Sequence, residues 1–216
     1  MTRISDRILA DNDAVLSRML DHPFVRQIAA GTLPVQGWHR YLVYEGAFVD
    51  TAVSIFAYAT AKAPDLHSKR WLIGVQDALV RDQIPYFEDS FATLGIDRHI
   101  AIPPSVRAFD DGMLAIARDG DFADIVTAMF AAEWMYWTWC SRAAAHPIAD
   151  PHIRRWIDLH ADDGFAAQAR WLKDTIDRVA APADLARLSS IFGRVTELEI
   201  AFHDAPLIGM TEPSDA

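Results

Sequence analysis

Three glutamates in this chain stand where burying a carboxylate is unfavourable. Glu45 lies in VYEGAFV, Glu133 in MFAAEWMYW and Glu199 in TELEIAF, which are apolar segments with helical spacing. Each glutamate falls on the stripe of residues that its helix would turn toward the core. An unpaired ionised carboxylate in an apolar core carries a large desolvation penalty, so such a group is neutral, paired or facing a wet cavity. Three of them on separate helices predict a shared polar pocket inside a helical bundle.

Long helices must carry these glutamates, and proline and glycine residues mark where the helices end. No convincing period-2 alternation predicts a strand, and no Asn-Gly or Asp-Gly pair joins two strand-like runs as a hairpin turn would. The predicted helices cover residues 3–20, 24–30, 34–61, 66–94, 105–118, 121–145, 151–179 and 182–204. Pro85 predicts a kink inside its helix, and 151–179 is one bent helix or two, with a break near 162–164. We therefore predict an all-α, single-domain, multi-helix bundle over residues 1–206, followed by a polar tail, 207–216.

The composition is that of a soluble globular protein with a sizeable core, since 51% of the 216 residues are hydrophobic and 23% are charged. The formal net charge of −10, with scattered basic residues, opposes binding to nucleic acid or to an anionic membrane. The N-terminus lacks the apolar segment of a signal peptide, and no uncharged apolar run reaches about 18 residues. Cys140 is the only cysteine, so no intrachain disulfide can form and we expect a cytoplasmic protein.

Motifs for the common cofactor and metal chemistries are missing. There is no G-x-G-x-x-G, P-loop, C-x-x-C or G-x-S-x-G pattern, so no cofactor is predicted. The nearest approach to a metal site is the set Glu199, His203 and Asp204, in which the first two share a helix face, although a pocket-rim or surface position is favoured for His203. Cys140 lies near the C-terminal end of its helix, where the helix dipole raises a thiol pKa, so we predict a buried and inert thiol.

Four segments, in this order, resemble the signatures of the TenA (thiaminase II) family. They are HPFVRQIAAGTLPVQGWHRYLVYEGAFVDTAVSIFAYATAKAP (22–64), AAEWMYW (131–137), WIDLHADDGF (156–165) and FGRVTELEIAFHDA (192–205). Each segment alone is weak, and the ordered set, spanning residues 20–206, is more specific. The resemblance implies an all-α bundle like haem oxygenase. It also implies C–N hydrolysis on pyrimidines in thiamine salvage, as aminopyrimidine aminohydrolase and, in some members, thiaminase.

The resemblance also implies roles by position. Glu45 takes the place of an acid, commonly Asp, that contacts the amino edge of the pyrimidine. Phe48 takes the place of an aromatic residue, commonly Tyr, that stacks on the ring. Tyr136 matches a pocket tyrosine, while Glu199 and Phe202 match the acid and the aromatic residue of the final helix.

Several positions depart from the family pattern. Ala132 stands where cysteine-bearing members have their nucleophile, and the neighbouring Glu133 resembles the branch that lacks this cysteine. That branch is linked to degraded aminopyrimidines, including a formylamino form, and not to thiamine itself. Phe109 replaces a tyrosine, and His203 replaces a tryptophan. These changes put the usual substrate in question, because a pocket built to hydrogen-bond a polar group discriminates strongly on such groups.

Without a nucleophilic cysteine, direct attack by water is the economical route. We predict that Glu199 and Glu133 face each other, one deprotonating the water that attacks the C–N carbon and the other protonating the leaving amine. Glu45 would anchor a nitrogen of the substrate. The aromatic residues expected at the substrate are Phe48, Phe109, Tyr136 and Phe202. We expect a small-molecule pyrimidine as the substrate and a homodimer or homotetramer as the assembly.

Other interpretations stay open. Each glutamate could instead be a buried carboxylate tied to an arginine or a tyrosine in the core. The chain could also be a non-catalytic small-molecule-binding protein, or an oxidase on the haem-oxygenase-like scaffold. Metal analysis separates the oxidase from the hydrolase, and release of ammonia or formate from a pyrimidine separates the hydrolase from the binding protein.

Overall fold

The computed structural model describes residues 2–209, and every regular element in that range is helical. The α-helices are α1 (Ile4–Asp11), α2 (Asp13–Leu20), α3 (Pro23–Ala30), α4 (Val35–Lys62), α5 (Leu66–Ala78), α6 (Ile84–Leu94), α7 (Pro104–Asp119), α8 (Phe122–Ala144), α9 (Pro151–Ala161), α10 (Asp163–Val179) and α11 (Leu185–Asp204). Short 3₁₀ turns, Pro182–Asp184 and Ala205–Leu207, flank α11. The predicted all-α fold is confirmed. Residues 210–216 of the predicted polar tail lie outside the described residues.

Helix α8 is the central element of the bundle, because it packs against α9, α10 and α11 and most of its residues are buried. Its start follows the sequence prediction. The Asp121 carboxylate accepts a hydrogen bond from the backbone N–H of Asp124, and the Asp124 carboxylate accepts one from the backbone N–H of Asp121. This capping box satisfies two backbone donors that a helix start leaves free. It fixes the beginning of the helix that carries Glu133.

The predicted helix 3–20 is divided at Asn12 into α1 and α2. The side-chain amide of Asn12 donates to the carbonyl of Ile8 and to the carbonyl of Ser189 on α11. Gly193 makes this approach possible, since a Cβ at that position would lie 2.4 Å from the Asn12 Oδ1. A contact with a helix far away in the sequence therefore outweighs the local helical pattern.

A π-helical turn, Leu79–Gln83, separates α5 from α6 where a single kinked helix was predicted. Pro85 has no backbone N–H to donate one turn back, and its ring would clash with the carbonyl four residues earlier. A wider π-helical turn accommodates both effects.

The predicted break near 162–164 is confirmed. Asp162 follows α9, and its carboxylate caps α10 by accepting a hydrogen bond from the backbone N–H of Phe165 at 2.7 Å.

Helix α4 passes a test of length and hydropathy for crossing a membrane, the single described helix to do so. Half of its apolar window is buried inside the protein, and the helix packs against α5 and α7. Its apolar residues Tyr41, Phe48 and Ile55 belong to the core. Burial in the bundle accounts for the apolar composition of this helix.

Candidate active site

A cavity of about 780 Å³ lies between α4, α8, α10 and α11, and the π-helical turn forms part of its wall. Glu45, Glu133 and Glu199 all line it. The structure thus brings together three acids that are far apart in the sequence. Within residues 2–209, none of the three carboxylates forms an ion pair with Lys or Arg, so arginine partners in the core do not explain them. Glu45 does have a tyrosine partner, Tyr136, as the alternative interpretation expected for a buried carboxylate. A cavity of this size is typical of a small-molecule site.

Glu45 is held by a chain of two tyrosines. The hydroxyl of Tyr136 donates to Glu45 Oε2 at 3.0 Å, and the hydroxyl of Tyr41 donates to the Tyr136 hydroxyl at 3.1 Å. Burial raises the pKa of Glu45 to about 7, although the hydrogen bonds from the tyrosines act in the opposite direction. Tyr41 was missed as a site residue in the sequence, although its position one helical turn before Glu45 is the signal for such a contact.

Glu133 is oriented by Gln168, whose side-chain amide donates to Glu133 Oε1 at 2.7 Å. The other oxygen, Oε2, is buried without a hydrogen-bond partner among the described residues. Burial raises the pKa of Glu133 to about 7, and the negative charge of Glu45 adds to the rise. Gln168 was missed in the sequence, because a glutamine on α10 carries no pattern that links it to an acid on α8.

Glu199 is the most isolated of the three acids. Both of its carboxyl oxygens are buried without a hydrogen-bond partner in the described part of the chain. Burial raises the pKa of Glu199 well above its usual value, with further contributions from the charges of Glu45 and Glu133. This shift favours the neutral, protonated form of Glu199, which has a proton to transfer.

Aromatic residues cover part of the cavity wall. Phe48, Phe109 and Tyr136 line the cavity, and the rings of Phe48 and Phe109 lie 4.7 Å apart. The predicted contact of Phe202 with the substrate stays a prediction, and the cavity lining gives it no support. Phe202 is fully buried outside the cavity lining, with its ring 5.3 Å from that of Phe109. Phe202 lies three residues after Glu199 on α11, so its side chain points about 60° away from that of Glu199 around the helix axis. It packs behind Phe109.

Histidines near the site are neutral. His203 Nδ1 donates to the backbone carbonyl of Glu199 at 2.8 Å, and burial lowers the pKa of His203 to about 3. The 3.5 Å approach of this nitrogen to Glu199 Oε2 is therefore not an ion pair. His160, which lines the cavity and was not singled out in the sequence, is neutral for the same reason, its pKa lowered to about 4. His160 Nδ1 donates to the carbonyl of Trp156.

The metal candidate noted in the sequence does not converge. Asp204 accepts a hydrogen bond from His22 Nε2 at 3.0 Å, while His203 Nδ1 is engaged by the Glu199 carbonyl. No group of three or more His, Cys, Asp or Glu side chains within residues 2–209 is arranged to hold a metal ion.

Cys140 is fully buried on α8, and burial raises the pKa of its thiol well above the usual value. The thiolate is the reactive form, so we expect native protein treated with iodoacetamide to keep its activity. Cys140→Ala should keep kcat within roughly threefold of wild type, because the thiol takes no part in the chemistry. Steady-state assays of both preparations test this. Loss of activity on alkylation of the folded protein would assign the thiol a catalytic role.

Comparison with known proteins finds relatives that share this fold. The model of the TENA/THI-4/PQQC family matches residues 11–207. An aminopyrimidine aminohydrolase from Helicobacter pylori is 21% identical over 211 residues, which are 94% of this chain and 97% of that protein. Among solved structures, a TenA homologue from P. horikoshii OT3 superposes with a TM-score of 0.86 at 21% identity, covering 95% of this chain and 98% of the other.

A second solved structure gives the name of the architecture. It is a domain of unknown function with a heme oxygenase-like fold from Shewanella denitrificans OS217. Its TM-score is 0.72 at 12% identity, and the similarity covers 98% of this chain and 95% of the other. The haem-oxygenase-like fold predicted from the sequence is confirmed.

Proposed function

Because this chain belongs to the TENA/THI-4/PQQC family, we propose that it hydrolyses the C–N bond of an aminopyrimidine or a formylaminopyrimidine derived from thiamine. The observation that carries the proposal is the single cavity shared by Glu45, Glu133 and Glu199. Hydrolysis without a cysteine nucleophile needs an acid and a base beside one substrate, and the three carboxyl groups of this cavity are the candidates for both roles. The name of the Helicobacter pylori relative supports the same reaction. A role in thiamine salvage and a cytoplasmic location are parts of the proposal.

In this proposal Glu133 is the base and Glu199 is the acid. A carboxyl group with a pKa of about 7 is half ionised near neutral pH, so Glu133 can accept a proton from the water that attacks the carbon. Glu199, with its raised pKa, gives its proton to the departing nitrogen. A C–O bond forms as the C–N bond breaks, and the amine leaves as a neutral molecule. Transfer of the proton from Glu133 to Glu199 then restores the starting state.

The other cavity residues position the reactants. Tyr136 keeps the Glu45 carboxylate in place, so that it can accept hydrogen bonds from the amino edge of a pyrimidine. Phe48 and Phe109 offer ring faces at the cavity wall for a flat substrate. Gln168 holds one oxygen of Glu133, which leaves Oε2 for the attacking water. The Ala132–Glu133 pair supports placement in the branch without the cysteine.

The direct test is an incubation of purified protein with an aminomethylpyrimidine, its formylamino derivative and thiamine, each in a separate assay. We expect ammonia from the first or formate from the second, measured against a no-enzyme control. Each compound is also tested by thermal shift, because a bound ligand stabilises the folded state by mass action. A shift without product would identify a non-catalytic binding protein. No shift and no product with any pyrimidine would refute the proposal.

A further inference from the structure

The cavity opens to solvent between two segments of the chain. Every exposed residue of its lining falls within 78–89, at the π-helical turn and the start of α6, or within 155–164, on α9 and at the start of α10. All other residues that line the cavity are buried or half-buried. These two segments therefore form the two sides of the cavity mouth.

One side chain crosses this mouth. Arg155 Nη1 donates a hydrogen bond to Asp89 Oδ2 at 3.2 Å, and the guanidinium carbon of Arg155 lies 4.9 Å from the centre of the Tyr86 ring. All three residues line the cavity. Among the described residues, this is the one hydrogen bond that joins the two sides of the mouth. The guanidinium group thus spans the opening, with an ion pair at its end and the face of an aromatic ring beside it.

The bridge between Arg155 and Asp89 is weak enough to open. The side chain of Arg155 is 55% exposed and that of Asp89 is 60% exposed. An ion pair in solvent contributes little to stability and is screened by salt. Both residues lie within regular helices, so a change of the arginine rotamer is sufficient to break the bridge. The Arg155 side chain can therefore swing away and return without a change of the fold.

The interior behind the bridge does not restrict a small ligand. The cavity volume of about 780 Å³ lies near the upper end of the range of about 300 to about 1,000 Å³ that is usual for small-molecule sites. A single flat ring leaves much of this volume free. The restriction on the size of a ligand therefore lies at the mouth, where Arg155 is placed.

We propose that Arg155 is a specificity-determining residue of the cavity, a gate across the mouth that limits the size of the group on the outward end of a ligand. A flat ring with a short substituent, such as a formyl group, passes the guanidinium group. A ring with a longer acyl substituent enters only while the bridge is open. Asp89 and Tyr86 hold the gate in position. The proposal concerns entry into the cavity and does not depend on the reaction that takes place inside.

Thiol labelling measures entry without any substrate. Ala132 lines the cavity and is buried, and Cys140 is the only cysteine of the chain, so Ala132→Cys combined with Cys140→Ala places a single thiol inside the cavity. Two neutral methanethiosulfonate reagents, one carrying a methyl group and one a benzyl group, modify this thiol at rates that report their entry. Arg155→Ala should raise the benzyl rate relative to the methyl rate at least about fivefold, the effect of losing an exposed ion pair. The ratio of the two rates cancels any change in the reactivity of the thiol itself.

Arg154→Ala is the matched control for this measurement. Arg154 precedes Arg155 on α9 and forms an ion pair with Asp158 at 2.8 Å, and neither of these two residues lines the cavity. This variant should leave the ratio of the two rates unchanged, and thermal melts show that each variant is folded. An unchanged ratio in Arg155→Ala, or an equal increase in Arg154→Ala, would overturn the proposal.

Reversal of the charges tests the bridge itself. Arg155→Asp alone should speed entry of the benzyl reagent, because two carboxylates then face each other across the mouth. Arg155→Asp combined with Asp89→Arg rebuilds the ion pair in the opposite direction and should return the rate ratio toward that of the parent. A double variant as fast as Arg155→Asp alone would show that the ion pair does not close the mouth.

A last test measures specificity directly and rests on the proposed function. The ratio of kcat/KM for a butanoylaminopyrimidine to that for the formylaminopyrimidine should rise at least about fivefold in Arg155→Ala and stay constant in Arg154→Ala. A constant ratio in Arg155→Ala would overturn the specificity role. If the wild type converts neither compound, the proposed function fails, and thiol labelling still decides whether Arg155 is a gate.

Discussion

Glu199→Gln is expected to lower kcat by about 100- to 10,000-fold, the usual contribution of a general acid or base, and to leave the fold intact. Burial and the neighbouring acids raise the pKa of this carboxyl group well above its usual value, which favours the neutral acid in the folded protein. A glutamine has the same shape and charge as that neutral acid, and it has no proton to give to the leaving nitrogen. Steady-state kinetics with the pyrimidine that gives product measure the loss of kcat, and circular dichroism shows whether the fold is intact.

Glu197→Gln is the matched control for this variant. Glu197 lies on the same helix, two residues away, where it forms an exposed ion pair with Arg18 at 2.7 Å. An exposed ion pair contributes about 1 kcal/mol or less to stability, so this variant should keep wild-type activity and nearly wild-type stability. Wild-type kcat in Glu199→Gln would remove Glu199 from the mechanism. A similar loss in both variants would point to a general effect on α11.

The pH dependence of stability gives a test that needs no substrate. The folded pKa of Glu199 is raised above its unfolded value, so between the two values the folded state holds a proton that the unfolded state has released. The contribution of Glu199 to the free energy of unfolding therefore falls as the pH rises above about 4.5. Glu199→Gln has no carboxyl group to titrate at this position, so its free energy of unfolding relative to the wild type should increase as the pH rises above about 5, as measured by urea unfolding. A constant difference across this range would mean that Glu199 is not buried as a neutral acid.

The sequence predicted the three acids because burial follows helical periodicity. Glu45, Glu133 and Glu199 each stand among apolar residues at steps of three and four, and this spacing alone places them on inward faces. Helix ends were also predictable where the signal is local. Examples are the Asp121 capping box and the proline after Asp150 at the start of α9.

The missed features depend on contacts between distant segments. Asn12 ends α1 because its amide reaches Ser189, 177 positions away, and Gln168 contacts Glu133 across two helices. Phe202 shows a different limit. It is buried on α11 as Glu199 is, but of these two residues only Glu199 is among those that line the cavity. Periodicity distinguishes buried from exposed residues, and it does not distinguish a core contact from a cavity contact.

The assignment of Glu133 as the base predicts a specific change in the pH profile. The wild-type kcat should rise with pH around 7 as Glu133 ionises, because its pKa is about 7 and the ionised form accepts the proton of the water. Glu133→Gln should lower kcat by about 100- to 10,000-fold and remove the rising limb. Rate measurements between about pH 5 and about pH 9 show whether the limb is lost.

Gln168→Ala is the variant that separates a titrating base from a structural carboxylate. The amide of Gln168 donates to Glu133 and lowers its pKa, so its removal should move the rising limb to higher pH while substantial activity remains. If Glu133 only supports the core, Gln168→Ala should lower the stability of the protein and leave the rising limb of the pH profile where it is. If the limb stays at the same pH in Gln168→Ala, or persists in Glu133→Gln, another group is the base. Glu45, which shares the cavity and has a pKa of about 7, would then be the next residue to replace.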